Sequence, residues 1–196
     1  MTKRWRLKPQ PTDEEVNGLA SALRIDRVLA KLLVQRNIKT YDQARTFFHP
    51  ELNDLHDPFL MKDMDKAVSR VQQALDNGEG ILVYGDYDVD GTTAVAMMYS
   101  FLKKFHPKVR TYIPDRNNEG YGVSRKGIDY AQNNKCSLII ALDCGIKADK
   151  EIDYAASKGI DIIICDHHRP SDKLPGAVAV LDPKRPDCRY PFKELS

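Results

Sequence analysis

The chain has 196 residues, with 30 Lys and Arg against 28 Asp and Glu, and a formal net charge of +2. This near balance gives little long-range attraction for a polyanion, so any affinity for nucleic acid must come from local clusters. The four cysteines form no CxxC pair, and neither a secretory signal nor an apolar stretch of membrane-spanning length is visible. We therefore expect a reduced, cytoplasmic protein with no membrane attachment, long enough for one sizeable α/β domain and a small appendage.

The first part of the chain has the pattern of a small helical region. Thr12 precedes DEEVNGLASAL, and Glu15 is placed to close a capping box. Residues 25–33 continue with apolar residues at helical spacing, and TYDQARTFFHP predicts a further helix that ends by Pro50. A polar connection, ELNDLHDPFLM, follows. We place a soft boundary near residue 60, with a helical N-terminal region over 1–60 and the main domain over 61–196.

The main domain begins with an amphipathic helix and then alternates strands with helices. MDKAVSRVQQAL predicts a helix that is ended by Asn77 and Gly78. The strand-like runs are ILVYG, VRTYI, SLIIAL, IDIIIC and AVAVL, and the helical patterns between them are TAVAMMYSFLKKF, SRKGIDYAQN and KADKEIDYAASKG. This alternation predicts an α/β fold with a doubly wound, mainly parallel sheet and helices on both faces.

Acidic side chains follow the first of these strands. Asp86, Asp88 and Asp90 come directly after ILVYG, where an open parallel sheet has its functional crevice. Carboxylates at alternate positions suit divalent cations. The segment from Asp88 to Thr92 also resembles the nucleophile motif of haloacid-dehalogenase phosphatases, in which the first aspartate attacks phosphorus. Both a metal site and a phosphatase that uses Asp88 therefore remain open at this point.

Further metal-ligating residues follow two later strands. Asp143 comes after SLIIAL and can bridge two cations, because a carboxylate has two oxygens. Asp166, His167 and His168 come at the end of IDIIIC. Adjacent residues in an extended segment point to opposite sides, so one histidine can bind metal while its neighbour meets substrate, and Asp166 can orient an imidazole. Their convergence on one sheet edge favours a metal centre over surface histidines.

DYDVDG, the aspartate of LDCG and the DHH triplet resemble motifs of the DHH phosphoesterase superfamily. Its members hydrolyse phosphoanhydrides or phosphodiesters with manganese or magnesium. Within it the chain is similar to the bacterial exonucleases specific for single-stranded DNA, because DYDVDG stands where other members carry HxxxDxD. IPDRNNEGYG and DPFLMKDMDKA also look like segments of those exonucleases. The resemblance implies the N-terminal catalytic portion of a 5′-to-3′ exonuclease that acts in DNA repair and recombination.

The resemblance implies a site with two divalent cations, Mn²⁺ or Mg²⁺. Asp88, Asp90, Asp143 and His167 are the expected ligands. His168 is the candidate for contact with the scissile phosphate or its leaving oxygen. Asp86, which the HxxxDxD pattern does not require, either ligates or lies behind the ligands.

The segment IPDRNNEGYG is the candidate substrate loop. Arg116 can offer a planar fork to a phosphate, and Glu119 could hold Arg116 in place. Gly120 and Gly122 would let a backbone approach closely, and Tyr121 between them could stack on a base. An exposed loop with an ordinary ion pair is the alternative interpretation.

Single-stranded DNA is the partner that the resemblance implies, and a single-strand-binding protein and a recombination helicase are candidate protein partners. The resemblance also implies a further metal-binding aspartate, a substrate domain and an OB-type domain beyond residue 196. We therefore expect the catalytic domain to be truncated at its C-terminal end and to be weakly active or inactive alone. A noncatalytic nucleic-acid-binding module of the DHH type is the alternative function.

Overall fold

The structure is a computed structural model that describes residue 4 and residues 6–195. It divides into two compact units, one up to Leu55 and the other from His56 onward. Within the described part of the chain, none of the helices combines the length and the apolar character needed to span a membrane.

The first unit consists of three helices: α1 (Asp13–Leu23), α2 (Arg27–Val34) and α3 (Tyr41–Phe48), followed by a short 3₁₀ helix (Leu52–Asp54). The predicted capping box is confirmed, because the Thr12 hydroxyl accepts from the backbone N–H of Glu15 at 3.2 Å while the Glu15 carboxylate accepts from Thr12. One apolar core holds the helices together, made of Val16, Leu19, Ala20, Ala30, Leu33, Val34, Ile38 and Ala44.

The second unit is built on a five-stranded sheet. After a 3₁₀ helix (Pro58–Leu60), its elements run in chain order as α4 (Met64–Asp76), β1 (Gly80–Gly85), α5 (Val89–Leu102), β2 (Val109–Tyr112), α6 (Arg125–Asn133), β3 (Cys136–Leu142), α7 (Asp149–Ser157), β4 (Asp161–Cys165) and β5 (Ala179–Leu181). All neighbouring strands are parallel, in the order β2-β1-β3-β4-β5. The predicted doubly wound α/β fold is confirmed.

Helices cover both faces of the sheet because alternate strand residues point to opposite sides. Ile81 and Val83 of β1 pack in a core with residues of α4 and α5, whereas Leu82 and Tyr84 pack in a second core with residues of α6 and α7. Every residue of β1 is buried. The strands are therefore apolar without alternation, as expected for a sheet covered on both faces.

The register of the sheet brings four strand ends to one level. Gly85 pairs with Leu142, Leu142 with Cys165, and Cys165 with Leu181. Each of these residues is followed by an aspartate: Asp86, Asp143, Asp166 and Asp182. The strand order reverses direction between β1 and β3, the position where sheets of this order bind ligands. The fold therefore sets four carboxylates in a row, with the first two flanking this crevice.

Candidate metal centre

The aspartate row, Asp86, Asp143, Asp166 and Asp182, lies almost entirely out of solvent. The four residues are 1%, 8%, 6% and 0% exposed, in that order. Burial raises the pKa of Asp86, Asp143 and Asp182, and a neighbouring carboxylate raises each of them further. Because neighbouring strands are only about 4.8 Å apart, the row concentrates negative charge in a poorly solvated place. Such an arrangement favours the binding of cations.

Asp166 differs from the rest of the row because hydrogen bonds stabilise its charge. Its Oδ1 accepts from the backbone N–H groups of His167 and His168 at 2.7 and 3.0 Å, and its Oδ2 accepts from the N–H of Ile146 at 3.0 Å. Burial alone would raise the pKa of Asp166, but these bonds and the His168 imidazole lower it below its usual value. Asp166 is therefore an ionised group that organises the turn after β4.

The two histidines meet Asp143 at the centre of the row. His167 Nε2 lies 2.9 Å from Asp143 Oδ1, and one ligand atom from each of Asp143, His167 and His168 falls within 4.8 Å of the others. The expectation that adjacent histidines point to opposite sides is wrong, since their rings lie side by side with centroids 4.5 Å apart. The bonds from Asp166 to both backbone N–H groups curl the chain after β4, so the alternation of an extended strand no longer applies.

Asp88 and Asp90 enter the site from the start of α5. Asp88 caps this helix, with Oδ1 accepting from the N–H of Gly91 at 3.0 Å, and that bond lowers the pKa of Asp88. Its carboxylate also lies at hydrogen-bonding range of Asp143, whose pKa it raises in addition to the effect of burial. Asp90, in the first turn, is exposed and lines the same groove as Asp143 and His167.

The donor set fits divalent cations. Among the residues that the structure describes, Asp86 Oδ1 and Asp182 Oδ2 are buried carboxylate oxygens that no hydrogen-bond donor reaches. An unpaired buried carboxylate oxygen is unfavourable unless a cation or a proton compensates it. Carboxylate oxygens together with imidazole nitrogens are ligands that manganese accepts, and magnesium binds the carboxylates.

Two tyrosines of neighbouring strands hold the predicted substrate loop. Tyr84 of β1 donates from its hydroxyl to the Gly122 carbonyl at 2.8 Å and accepts from the Ser124 N–H at 3.1 Å. Tyr112 of β2 stacks on Tyr84 with centroids 5.5 Å apart and donates to the Glu119 carboxylate at 2.9 Å. The loop is therefore anchored at both of its ends to the strands beneath it.

Glu119 does not hold Arg116, contrary to the sequence-based expectation. Its carboxylate accepts instead from Tyr112, from the Asp115 N–H at 3.0 Å and from the Ser124 hydroxyl at 2.5 Å. The Arg116 guanidinium lies over the ring of Tyr87, 5.5 Å from its centroid. Glu119 thus shapes the loop, and Arg116 stays exposed above the aspartate row.

Tyr121 and its flanking glycines form the tip of the loop beside the histidines. Tyr121 is 57% exposed, and its hydroxyl lies 3.2 Å from His168 Nε2. Gly120 and Gly122 have φ angles of +81° and +89°, and a side chain built on either would meet open space. These glycines are therefore required by the backbone conformation, and the space above them is free for a ligand.

Clefts flank the centre on both faces of the sheet. One of about 510 Å³ contains Tyr121 and His168 together with three cationic side chains, Arg125, Lys126 and Lys147. The other, of about 730 Å³, contains Asp90, Asp143 and His167 and is otherwise mainly apolar, lined by Met61, Met64, Val89, Met98, Leu142 and Leu181. A charged substrate can thus reach the histidines along the cationic cleft.

Sequence reasoning missed Asp182 and Lys184. Asp182 follows the strand run AVAVL as Asp143 follows SLIIAL, so the same rule of an aspartate after a strand could have found it. Lys184 gives no comparable signal, because its contact is with a backbone carbonyl: its Nζ donates to the oxygen of His167 at 2.7 Å. Only the packing of β5 against β4 brings these two segments together.

Comparison with known proteins agrees with this geometry. Residues 80–192 match the DHH family, N-terminal domain. The single-stranded-DNA-specific exonuclease RecJ of Bacillus subtilis (strain 168) is 42% identical over 98% of this chain and 24% of its own length. A crystal structure of exonuclease RecJ bound to manganese superposes with a TM-score of 0.62 at 30% identity, over 71% of this chain and 36% of that one. RecJ from Thermus thermophilus in complex with Mn²⁺ gives 0.69 at 25% identity, over 95% and 26%. The chain thus spans about a quarter of the length of the first curated relatives it matches.

Proposed function

Because the chain belongs to the DHH family, we propose that its second unit is a metal-dependent phosphodiesterase domain, the N-terminal catalytic portion of a RecJ-like exonuclease. In this proposal the whole protein degrades single-stranded DNA from the 5′ end during DNA repair and recombination in the cytoplasm. The observation that carries the proposal is the buried aspartate row meeting His167 and His168, with two carboxylate oxygens left without a donor. The family membership removes the haloacid-dehalogenase alternative.

We assign the binding of two divalent cations, Mn²⁺ or Mg²⁺, to Asp88, Asp90, Asp143 and His167. Cations of this kind supply Lewis acidity and an activated water to phosphodiester hydrolysis. Asp143 is suited to the central place because it contacts His167 and lies within range of Asp88. The unpartnered oxygen of Asp86 supports a place for that residue either among the ligands or directly behind them.

We assign His168 to the scissile phosphate. Asp166 Oδ1 lies 2.7 Å from His168 Nδ1 and fixes the ring, which leaves Nε2 beside the Tyr121 hydroxyl in the cationic cleft. An Nε2–H group there could donate to a phosphate oxygen or to the leaving oxygen. Asp166 thereby acts on the reaction through His168, as its ionised charge and its bonds to the turn allow.

The loop and the cationic cleft form the proposed path of the DNA. Arg116 and the cations of the cleft can pair with phosphates, while the exposed ring of Tyr121 can stack on a base. In this role Glu119, Gly120 and Gly122 set the shape of the loop. Single-strand-binding protein and a recombination helicase are the proposed protein partners of the whole enzyme.

Manganese binding and DNA cleavage together test the proposal. We expect calorimetric titration to show Mn²⁺ binding to the wild-type chain, and Asp143→Ala to weaken it by more than about 100-fold, since even outer-sphere substitutions cost about 10–100-fold. The exposed Asp153→Ala is the matched control and should bind like wild type. Unchanged binding in Asp143→Ala would refute the assigned centre.

The noncatalytic module makes a different prediction for the same samples. With a 5′-labelled single strand and Mn²⁺, an exonuclease domain releases label from the 5′ end, slowly if the chain lacks the rest of the enzyme, and Asp143→Ala abolishes that release. Tight binding of the strand by both proteins, without manganese-dependent cleavage at any protein concentration, would favour a binding module.

A further inference from the structure

The peptide group between His167 and His168 is held at both of its polar atoms. Its N–H, from His168, donates to Asp166 Oδ1 at 3.0 Å. Its carbonyl oxygen, from His167, accepts from Lys184 Nζ at 2.7 Å. Rotation of this peptide would swing both imidazoles away from Asp143. Two side chains from different segments therefore determine the direction of both histidines.

Lys184 is itself held in place by a buried turn after β5. The Lys184 N–H donates to Asp182 Oδ1 at 2.6 Å, and the Asp166 N–H donates to the carbonyl of Leu181 at 2.9 Å. Asp182 is fully buried, and the half-buried Lys184 ammonium lowers the pKa of Asp182 against the larger effect of burial. Asp182 thus supplies negative charge that makes a lysine tolerable so close to a cation site.

Arg185 fastens this turn to the rest of the unit. Its guanidinium is buried, donates to the Val180 carbonyl and to Asp63 Oδ2, both at 2.5 Å, and pairs with Asp187 at 2.8 Å. Asp63 stands at the start of α4. Because Arg185 is adjacent to Lys184 and has no freedom to move, the origin of the lysine side chain is fixed.

We propose that Lys184 is a positioning residue of the metal centre: by holding the carbonyl of His167 it keeps the His167 and His168 imidazoles in the geometry that binds the cation. This inference rests on the proposed function, since it concerns the same site. It gives Lys184 no contact with substrate and no role in proton transfer. Its effect is on cation affinity, through the His167 backbone.

Manganese affinity of Lys184 variants, measured by electron paramagnetic resonance, tests the inference. We expect Lys184→Met to weaken Mn²⁺ binding about tenfold, in the range seen for groups that orient metal ligands. Lys184→Arg, which keeps a cationic donor, should return the affinity to within about threefold of wild type. Lys108→Met is the matched control, because Lys108 Nζ also donates to a distant backbone carbonyl, that of Gly78 at 2.8 Å, away from the site.

The outcomes separate positioning from mere stabilisation. Thermal unfolding without metal shows how much each variant loses in stability, and Lys108→Met sets the scale for one lost lysine-to-carbonyl bond. Weakened Mn²⁺ binding in Lys184→Met, restored by arginine and absent in Lys108→Met, supports the inference. Binding within twofold of wild type in Lys184→Met overturns it, as does an equal loss in Lys108→Met. A wild-type chain that binds no Mn²⁺ overturns the proposed function instead. If Lys184→Met does not fold, Lys184→Gln takes its place, and the same comparison decides.

Discussion

Asp86 illustrates how a single residue can be unfavourable for the fold and favourable for the site. It is 1% exposed, one of its oxygens has no donor within the described part of the chain, and burial raises its pKa. In the folded protein its charged form is therefore poorly solvated. Functional sites commonly retain such groups at a cost to stability, because the ligand compensates them.

Asp86→Asn should stabilise the metal-free protein at neutral pH. A folded pKa above the ordinary value of 3.8 means that the folded state holds the proton more tightly, so the contribution of Asp86 to the free energy of unfolding falls as the pH rises past that value. Asparagine does not titrate. Near pH 7 we expect the variant to gain on the order of 1 kcal/mol, or about 2–4 °C in Tm, and near pH 3.5 almost nothing.

Thermal unfolding at several pH values in a chelator checks the Asp86 prediction. Asp90→Asn, an exposed aspartate of the same motif, should unfold like wild type at every pH. Excess Mn²⁺ should cancel the advantage of Asp86→Asn, because the cation compensates the wild-type carboxylate. A variant less stable than wild type at neutral pH without metal would contradict the prediction.

At the scale of elements, the β1–α5 connection determines where Asp86 and Asp88 lie. Gly91 in the first turn of α5 packs on the backbone at the end of β1, and a Cβ added to it would lie 2.5 Å from the carbonyl oxygen of Asp86. The reason for glycine here is close packing of helix on strand. The helix start capped by Asp88 can approach the aspartate row only because this space is empty.

Gly91→Ala should therefore separate α5 from β1 and weaken both the fold and the metal centre. Overpacking of this kind costs about 1–3 kcal/mol of unfolding free energy, and the displaced Asp88 should lower Mn²⁺ affinity in parallel. Gly18→Ala in α1 is the control, since a Cβ there meets open space and should stabilise its own helical unit by about 0.5–1 kcal/mol. Circular dichroism melts and Mn²⁺ titration measure the two effects, and a Gly91→Ala protein that matches wild type in both would show that the contact can relax.

Local patterns in the sequence were sufficient for the elements and for part of the site. The five strands and the aspartates after β1, β3 and β4 are visible because burial on both faces makes the strands apolar and the residues that follow them polar. Contacts that depend on backbone shape were not predictable: the side-by-side histidines follow from the bonds of Asp166, and the Lys184 contact follows from strand packing. The partners of Glu119 likewise depend on how two strands place their tyrosines.

At the scale of the whole molecule, opposite charges gather at the two edges of the sheet. The carboxyl edge holds the aspartate row, while a cleft at the amino edge is lined by Lys103, Lys108, Arg110 and Lys135. The net charge of +2 therefore conceals strong local fields. DNA attracted by charge alone would be drawn to the amino edge, so productive binding at the aspartate row requires local cations together with bound metal.

The salt dependence of DNA affinity should count those local cations. If Arg116, Arg125, Lys126 and Lys147 contact four phosphates, the logarithm of the association constant for a short single strand, measured in Mg²⁺ by fluorescence anisotropy, should fall with the logarithm of salt concentration at a slope of about −3. Arg125→Gln and Lys126→Gln should each reduce the slope by about 0.7. Lys103→Gln at the amino edge should leave it unchanged. A slope that responds to Lys103 and ignores Arg125 would place the strand on the wrong edge of the sheet for cleavage at the aspartate row, and would contradict the proposed path of the DNA.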